Sequence, residues 1–341
     1  MPAAKLFSPD NMVISRTPFR MSFFGGGTDY PAWFLKEGGS VINATINKYC
    51  YLTCRRLPPF FGTKHRIVWS HIECANSHSE ILHPAVREGL KFLGFDAHDG
   101  LEIHHQGDLP ARSGIGSSSS FSVGLIHALL GYKGKMIGKK ELALKGIELE
   151  QKILKECVGC QDQLAVAYGG INRFNFFENG DIQRHPVVMD EQKRSDLESR
   201  LMLFYLGTNR LGSELAARMV AKMTEKSAAL HRMIEMVDEA NKILQNCKSL
   251  DCFGELLHES WQLKQSLADG ISNPEINLAY EAARAAGAIG GKLMGAGGTG
   301  FMYFYVPLES QEAVIHALKH YLHVPFSFER EGSTIIHYDQ S

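Results

Sequence analysis

The chain has 341 residues, of which 44% are hydrophobic and 21% charged, a composition typical of a globular protein and unlike a disordered or fibrous one. Its length favours two domains, or one large domain with an elaborate second layer. The formal net charge is −1, and no run of Lys and Arg is long enough to follow a nucleic-acid backbone, so nucleic acid is not an expected partner. The first residues lack the layout of a signal peptide and no stretch approaches ~20 apolar residues, so we expect a cytoplasmic protein that does not associate with membranes.

Seven cysteines are scattered along the chain, which is an odd number and does not indicate a disulfide framework. We therefore expect reduced thiols. Cys157 and Cys160 form a Cys-x-x-Cys, and Cys50 with Cys54 would complete four ligands for zinc. A zinc site is thus an alternative use of these cysteines.

Short runs rich in β-branched and aromatic residues predict a β-rich opening to the fold. The predicted strands are 12–15, 19–24, 41–46, 49–55, 66–70 and 101–106. Apolar periodicity then predicts helices over 118–130 and 139–156, and Gly169-Gly170 leads into a strand over 171–177. We place the end of the first domain near residue 185.

The second half mixes helices and strands in an order that favours an α+β fold. The predicted helices are 212–246, 251–268, 274–286 and 309–321, and the predicted strands are 201–206, 291–294, 300–306, 325–328 and 334–338. We find neither an internal repeat nor a low-complexity linker. We therefore predict two domains, residues 10–185 and 186–341, that share a cleft.

Residues 108–120, Asp-Leu-Pro-Ala-Arg-Ser-Gly-Ile-Gly-Ser-Ser-Ser-Ser, connect a predicted strand to an apolar helix. Gly114 and Gly116 allow close backbone approach, the serines supply hydroxyl groups, and a helix start offers unpaired N–H groups and a positive dipole end. These features suit a polyphosphate. The alternative is a Ser-capped helix that follows a flexible loop.

The predicted helix 139–156 carries a carboxylate on its apolar side. At 100° per residue, Glu150 falls near the middle of an arc of apolar residues, where an ionised group is costly without a cation. Either a buried salt bridge or a magnesium ligand would explain it. Asp162, which follows Gly159-Cys-Gln, is either a helix-capping residue or a functional carboxylate.

Three motifs in order resemble those of the galactokinase, homoserine kinase and mevalonate kinase (GHMP) superfamily. Residues 110–120 resemble Pro-x-x-x-Gly-Leu-Gly-Ser-Ser, with Ile115 for the leucine and Ser119-Ser120 for the usual alanines. Residues 17–30, Thr-Pro-Phe-Arg-Met-Ser-Phe-Phe-Gly-Gly-Gly-Thr-Asp-Tyr, are similar to the galactokinase signature. Residues 292–300, Lys-Leu-Met-Gly-Ala-Gly-Gly-Thr-Gly, are similar to the third motif, a glycine-rich hairpin under the phosphates.

The resemblance implies a fold and a reaction. The fold is α+β, with an N-terminal ribosomal-protein-S5-like α/β domain that binds ATP, a C-terminal ferredoxin-like domain, and the active-site cleft between them. The reaction is Mg²⁺- and ATP-dependent phosphorylation of a sugar hydroxyl. Asp162 takes the place of the catalytic acid and Arg20 that of its cation, which favours the ionised carboxylate and offsets phosphoryl charge.

By the same resemblance, Glu150 and Ser118 hold the metal ion, and a set of loop residues binds the nucleotide phosphates. The phosphate set is Arg112, Ser113, Gly114, Gly116, Ser117, Ser118, Ser119, Gly297 and Gly298. The sugar set is Gly26, Gly27, Thr28, Asp29, Lys48, Gly170, Arg173 and Lys292. A homodimer is left open.

Thr28-Asp29-Tyr30 matches the element that binds sugar hydroxyls in galactokinases, but Gly26-Gly27 stands where those enzymes have Glu-His, so galactose is not the expected acceptor. With Asn-Ala-Thr-Ile-Asn-Lys-Tyr at 43–49, the pattern resembles bacterial D-glycero-D-manno-heptose 7-phosphate kinases. Those enzymes phosphorylate the anomeric hydroxyl on the route to GDP-heptose for capsule or surface polysaccharide.

An acceptor with a distal phosphate needs basic partners. Lys48, Arg173, Arg210 and Lys292 are the candidates, although each alone would also be an ordinary surface charge. L-fucokinase-like enzymes share much of the pattern, so a free-sugar 1-kinase is the alternative. A non-catalytic sugar or nucleotide sensor is the alternative from another functional class.

Overall fold

The computed structural model describes residues 12–97, 99–207, 212–247 and 249–339. Within these ranges nine strands form one sheet, whose main path runs β13-β1-β2-β5-β3-β4, while β6 and β12 pair with β2 and β7 pairs with β6. These strands are β1 (Met12–Phe24), β2 (Gly39–Arg56), β3 (His65–Val68), β4 (Ile72–Ala75), β5 (Leu101–Gly107), β6 (Ile171–Phe176), β7 (Ile182–Pro186), β12 (Phe328–Glu329) and β13 (Thr334–Asp339).

Strands β1 and β2 are longer than predicted, because each joins two of the expected strands. Pro18 pairs with Tyr49 but Phe19 pairs with Ile46, so two extra residues of β2 bulge opposite a continuous β1. A bulge bends a strand without ending it. Because the two residues of the bulge are polar, the sequence predicts two separate strands, 41–46 and 49–55, where the structure has one.

Helices cover this sheet, and the central one is apolar on every side. The helices of the first half are α1 (Pro31–Glu37), α2 (Pro84–Phe92), α3 (Ser117–Tyr132), α4 (Lys139–Ile147) and α5 (Gln161–Tyr168). Helix α3 packs against β1 and β2 on one side and against α4 and α5 on another. Such a helix is stable because it is enclosed on all sides. Its first turn is therefore held in a fixed position over β1.

The predicted helix 139–156 changes its hydrogen-bond pattern part-way. It is α-helical up to Ile147 and π-helical over Glu148–Ile153, where Leu154 N donates to Leu149 O. The 100° wheel used on the sequence is therefore wrong beyond Ile147. Glu150 nevertheless lies on the inner side and has no exposed surface. π-Helical turns are rare and occur frequently at functional sites.

A second sheet, in the order β11-β8-β10-β9 within the described residues, carries the C-terminal helices. Its strands are β8 (Leu201–Tyr205), β9 (Gly290–Leu293), β10 (Phe301–Tyr305) and β11 (Leu322–His323). The accompanying helices are α6 (Glu191–Ser199), α7 (Gly212–Lys222), α8 (Ser227–Asn246), α9 (Asp251–Ser266), α10 (Pro274–Ala285) and α11 (Gln311–Ala317). Helix α9 packs on β9, and α8 reaches β1 and β2 of the larger sheet.

The chain returns to the first sheet at its end. Strand β12 pairs with β2, and β13 pairs with β1 along the outer edge. The predicted division at 185/186 stays a prediction, but the last two strands belong to the sheet of the first half. The C-terminal segment thus ties the two sheets together near the site described below.

Several elements carry too little apolar signal to be predicted. Strand β7 is nearly all exposed, and the polar helix α6 buries only Leu197, with Asp190 capping its start. The short elements α1, α2 and β4 were likewise not predicted, and the predicted helix 212–246 is broken between α7 and α8. Within the described residues no helix combines the length and apolar character needed to cross a membrane.

Candidate active site

The loop before α3 has the shape of an anion-binding loop. Gly114 and Gly116 take left-handed φ values of 83° and 71°, which favour glycine. Gly116 is the N-cap of α3 and no side chain caps the helix. The alternative of a Ser-capped helix is therefore wrong. The first N–H groups of α3, at Ser117, Ser118 and Ser119, have no acceptor within the helix, which suits an anion.

Two other residues predicted to bind phosphate shape this loop. The backbone N–H of Arg112, whose φ is 58°, donates to Ser117 Oγ over 3.1 Å. Ser113 Oγ donates to Pro110 O over 2.6 Å. Arg112 is exposed, whereas Ser113 is buried. The Ser113 hydroxyl is therefore used within the loop, and Arg112 is the member of this pair that faces solvent.

Arg20 and Asp162 meet beside the loop. Arg20 Nε and Nη2 donate to Asp162 Oδ1 and Oδ2 over 2.6 and 2.7 Å, and Arg20 Nη1 donates to Gly114 O over 2.7 Å. Asp162 lies inside the first turn of α5, whose N-cap Cys160 makes no side-chain cap, so the capping alternative is wrong. A Cβ added to Gly116 would lie 3.3 Å from Asp162 Oδ2. The carboxylate is therefore adjacent to the start of α3.

Glu150 lies behind the same helix start without an ion-pair partner among the described residues. Ser118 Oγ donates to its Oε1 over 3.1 Å, Ser119 Oγ to its Oε2 over 2.8 Å, and Gln163 Nε2 also donates to Oε2. Burial raises the pKa of Glu150 to about 7, although the hydrogen bonds from Ser119 and Gln163 lower it. The salt-bridge alternative is therefore wrong for the described part of the chain.

Asp29 is the next carboxylate along the site. Its oxygens accept the backbone N–H groups of Gly27 and Gln161 over 3.0 and 3.1 Å. Burial raises the pKa of Asp29 to about 6, although the hydrogen bond from Gly27 lowers it. The negative charge of Asp162 adds to the rise. A Cβ on Gly159 would lie 1.8 Å from Asp29 Oδ2, so only glycine leaves room for this carboxylate.

The glycines before Asp29 leave space, whereas Thr28 is used by the fold. A Cβ on Gly26 would meet Gln161 Nε2 at 3.3 Å, and one on Gly27 would meet Leu230 at 3.5 Å. The Thr28 hydroxyl donates to backbone carbonyls and accepts the Ser40 N–H, and the side chain is fully buried. Thr28 thus holds the loop in place around Asp29.

The glycine-rich turn between β9 and β10 packs directly on the phosphate loop. A Cβ on Gly295 would lie 2.5 Å from Gly114 Cα, and Phe301 N donates to Ser113 O over 3.0 Å. Gly297 and Gly298, the predicted phosphate-binding residues of this turn, also have left-handed φ values. Gly298 N donates to Ile271 O, so its N–H group is used within the protein.

The remaining predicted sugar-binding residues occupy different environments. Lys292 is 2% exposed, and its Nζ donates to Phe23 O over 2.9 Å. Arg173 is bound to Asp238, Ser40 and Asn175, and the Gly170 N–H donates to Glu329 O and Thr45 Oγ1. The remaining two are Lys48, which is half-buried and forms no ion pair with a described residue, and Arg210, which lies outside the described residues.

Three residues of this region were missed in the sequence. Gln163 holds Glu150, Glu156 raises the pKa of Glu150 by its charge, and Lys264 donates to two carbonyls of the glycine-rich turn. Of the three, only Lys264 could have been found from the sequence. It follows Leu257 and Trp261 at helical spacing, which places a lysine on the buried face of a predicted helix. The zinc site considered for the cysteines is not found: among described residues no group of three or more His, Cys, Asp or Glu could hold a metal ion.

The chain matches two protein-family models, the GHMP kinases N terminal domain over residues 80–170 and the GHMP kinases C terminal domain over residues 236–324. It is 29% identical over 345 aligned residues to D-glycero-alpha-D-manno-heptose 7-phosphate kinase of Campylobacter jejuni, covering 94% of this chain and 97% of that one. It is 26% identical to the bifunctional fucokinase/GDP-fucose pyrophosphorylase of Arabidopsis thaliana, covering 87% of this chain but 30% of that protein.

A solved structure shows the same fold. The D-glycero-D-manno-heptose 1-phosphate kinase of Bacteroides thetaiotaomicron superposes with a TM-score of 0.78 at 24% identity, covering 96% of this chain and all of that one. The two family models together match more than half of the chain, and they include the phosphate loop, Glu150 and Asp162. The chain therefore belongs to the GHMP kinases, a family of small-molecule phosphotransferases.

Proposed function

We propose that this protein transfers the terminal phosphoryl group of ATP to the anomeric hydroxyl of a sugar phosphate. The acceptor we propose is D-glycero-D-manno-heptose 7-phosphate, and the product is the 1,7-bisphosphate that leads to GDP-heptose for capsule or surface polysaccharide. The observation that carries the proposal is the bidentate Arg20–Asp162 pair beside the start of α3. The similarity to the Campylobacter jejuni enzyme along 94% of the chain supports the choice of acceptor.

The proposal gives each group of the site a part in the transfer. The open N–H groups at the start of α3 and the glycine-rich turn bind the nucleotide phosphates, whose charge suits a helix N-terminus. Asp162 accepts the proton of the attacking hydroxyl as the O–P bond forms and ADP leaves. Arg20 orients that carboxylate and offsets negative charge on the transferring group. Asp29 binds hydroxyl groups of the sugar.

Glu150 and Ser118 would hold Mg²⁺. A buried carboxylate that receives only neutral donors, beside a hydroxyl at 3.1 Å, suits a hard cation that prefers oxygen ligands. When bound, the ion would offset the charge of the nucleotide phosphates. Two protein ligands are enough because Mg²⁺ usually keeps waters and phosphate oxygens in its other positions.

The distal phosphate decides between this acceptor and the alternative, an L-fucokinase-like or other free-sugar 1-kinase, which the Arabidopsis relative supports. Lys292 and Arg173 are bound to groups of the protein, so the surroundings favour Lys48 among the described candidates. Each charge-assisted contact to phosphate contributes about 1.5 to 3 kcal/mol, so two contacts favour the phosphorylated sugar by more than about a hundredfold.

The test compares heptose 7-phosphate, free heptose, mannose and L-fucose as acceptors at low salt, with ADP release as the measurement. Asp162→Asn protein prepared in parallel controls for contaminating kinases. We expect heptose 7-phosphate to have the highest kcat/KM, and phosphorus–proton coupling in the product to place the new phosphate on the anomeric carbon. Efficient use of L-fucose without gain from a distal phosphate would favour the alternative, and absence of ADP release with every sugar would favour a sensor.

A further inference from the structure

Lys264 is a buried lysine of α9 whose partners are backbone oxygens of the glycine-rich turn. Its side chain donates from Nζ to Leu293 O over 2.7 Å and to Gly295 O over 2.6 Å, and the residue is 8% exposed. No carboxylate forms an ion pair with it in the described part of the chain. A lysine is seldom buried in this way unless its charge or its hydrogen bonds serve a purpose.

The carbonyls that Lys264 holds belong to the segment that contacts the phosphate loop. Gly295 has a φ of 71° and packs so closely on Gly114 that a Cβ there would lie 2.5 Å from Gly114 Cα. Gly114 O in turn accepts a hydrogen bond from Arg20, which binds Asp162. Direct contacts therefore lead from Lys264 to the proposed catalytic carboxylate.

The charges around this turn are unbalanced. Burial, and then the neighbouring Lys292 and Arg20 charges, lowers the pKa of Lys264 well below its ordinary value, while Asp162 raises it. Burial and Arg20 likewise lower the pKa of Lys292 to about 7. Arg20 is bound to Asp162, whereas neither Lys264 nor Lys292 forms an ion pair with a described residue. An anion bound at the turn would relieve this repulsion.

We propose that Lys264 is a positioning residue for phosphoryl transfer, which fixes the glycine-rich turn against the phosphate loop and draws the nucleotide phosphates toward it. The two hydrogen bonds hold the backbone of the turn in contact with Gly114. The ammonium groups of Lys264 and Lys292 supply positive charge beside the turn. This inference rests on the proposed kinase activity but not on the identity of the acceptor sugar.

The experiment uses Lys264→Met and Lys264→Gln in the full chain, with Lys242→Met on the exposed face of α8 as the matched control. Met removes both the charge and the donor, whereas Gln removes the charge but keeps an amide N–H. Calorimetry measures the binding of inorganic tripolyphosphate and of ADP without magnesium, and steady-state kinetics give KM for ATP and for the acceptor. Circular dichroism verifies that each variant is folded.

We expect Lys264→Met to weaken tripolyphosphate and ADP binding roughly tenfold or more, the scale of one charge-assisted contact, and to lower kcat without raising the acceptor KM. Lys264→Gln should lose the same affinity but keep more of kcat, and it carries the test if the Met variant does not fold. Tripolyphosphate binding within twofold of wild type in the folded variants would overturn the inference. Failure of the wild-type protein itself to bind ADP would instead contradict the proposed function.

Discussion

Replacing Asp162 by Asn tests the proposed base while changing few atoms. The amide keeps the shape of the carboxylate but loses its charge and presents an NH₂ group to one nitrogen of Arg20. A positioned general base contributes roughly 10²- to 10⁴-fold to the rate, which corresponds to about 3 to 5 kcal/mol of barrier. We therefore expect kcat to fall by that factor, with a smaller change in the affinity for ADP.

The same substitution should also lower stability, and burial sets the size of that effect. The Arg20 side chain is 4% exposed and that of Asp162 is 22% exposed, so the pair lies between a surface pair and a fully buried one. Surface pairs contribute up to about 1 kcal/mol, whereas breaking a buried pair costs about 3 to 5 kcal/mol. We expect the free energy of unfolding in urea to fall by about 1 to 3 kcal/mol.

The protein contains a matched control for this variant. Arg232 binds Glu259 through Nε and Nη2 at 2.8 and 3.1 Å, also in a bidentate manner, but the Glu259 side chain is 45% exposed and the pair joins α8 to α9. Glu259→Gln should cost less than about 1 kcal/mol and leave turnover unchanged. If folded Asp162→Asn protein kept turnover within tenfold of wild type, the carboxylate would be an orienting group and the proposed base would be wrong.

Four further substitutions test other parts of the site. Glu150→Gln and Ser118→Ala should each leave the protein folded but weaken its magnesium-dependent turnover and its binding of Mn²⁺, which electron paramagnetic resonance measures. If Glu150→Gln unfolds the protein and refolded samples of the variant have full activity, the metal role would be contradicted. Gly295→Ala, at a φ of 71° against Gly114, should cost about 1 to 2 kcal/mol from the left-handed backbone alone and lower kcat/KM for ATP; unchanged kinetics would exclude a close turn. In Asp29→Asn, the free energy of unfolding relative to wild type should rise by about 2 kcal/mol between pH 4 and pH 7; a constant difference would exclude the raised pKa of about 6.

The sign of the Asp29 prediction follows from the direction of its shift. A carboxyl whose pKa is higher in the folded than in the unfolded protein stabilises the fold below its ordinary range, and that contribution is lost as the pH rises through about 6. The neutral Asn side chain has no such dependence, so wild type loses stability relative to the variant on going to neutral pH. Urea titrations at several pH values measure the difference directly.

The fold could be predicted from the sequence where apolar periodicity is strong. The buried strands β8 and β10 and the enclosed helix α3 carry that pattern over their whole length, and their predicted bounds differ from the structure by one or two residues. Elements such as β7 and α6 bury almost nothing, so no pattern of side chains marks them. The return of β12 and β13 to the first sheet depends on pairing between distant segments, which local pattern does not encode.

In the site, the predictable groups are those that lie in short motifs. Arg20, Gly114 and Asp162 each belong to a segment whose residue order indicates a use, and the structure brings them into contact. Lys264 lies in no motif and reaches the turn from a helix that comes earlier in the chain. Its position on a buried face is the same kind of signal that marked Glu150, a charge at an apolar position.

The charged forms of three buried groups around the phosphate loop are disfavoured until a group of opposite charge binds near them. Burial raises the pKa of Glu150 to about 7, whereas burial lowers that of Lys292 to about 7 and that of Lys264 well below its ordinary value. A cation beside Glu150 favours the carboxylate form, and phosphates above the lysines favour the ammonium forms. The carboxylate and the lysines are held by separate elements. The proposed nucleotide and metal ion together would therefore offset both kinds of charge, whereas either alone would leave one kind unpaired. We therefore expect the proposed nucleotide and metal ion to bind cooperatively.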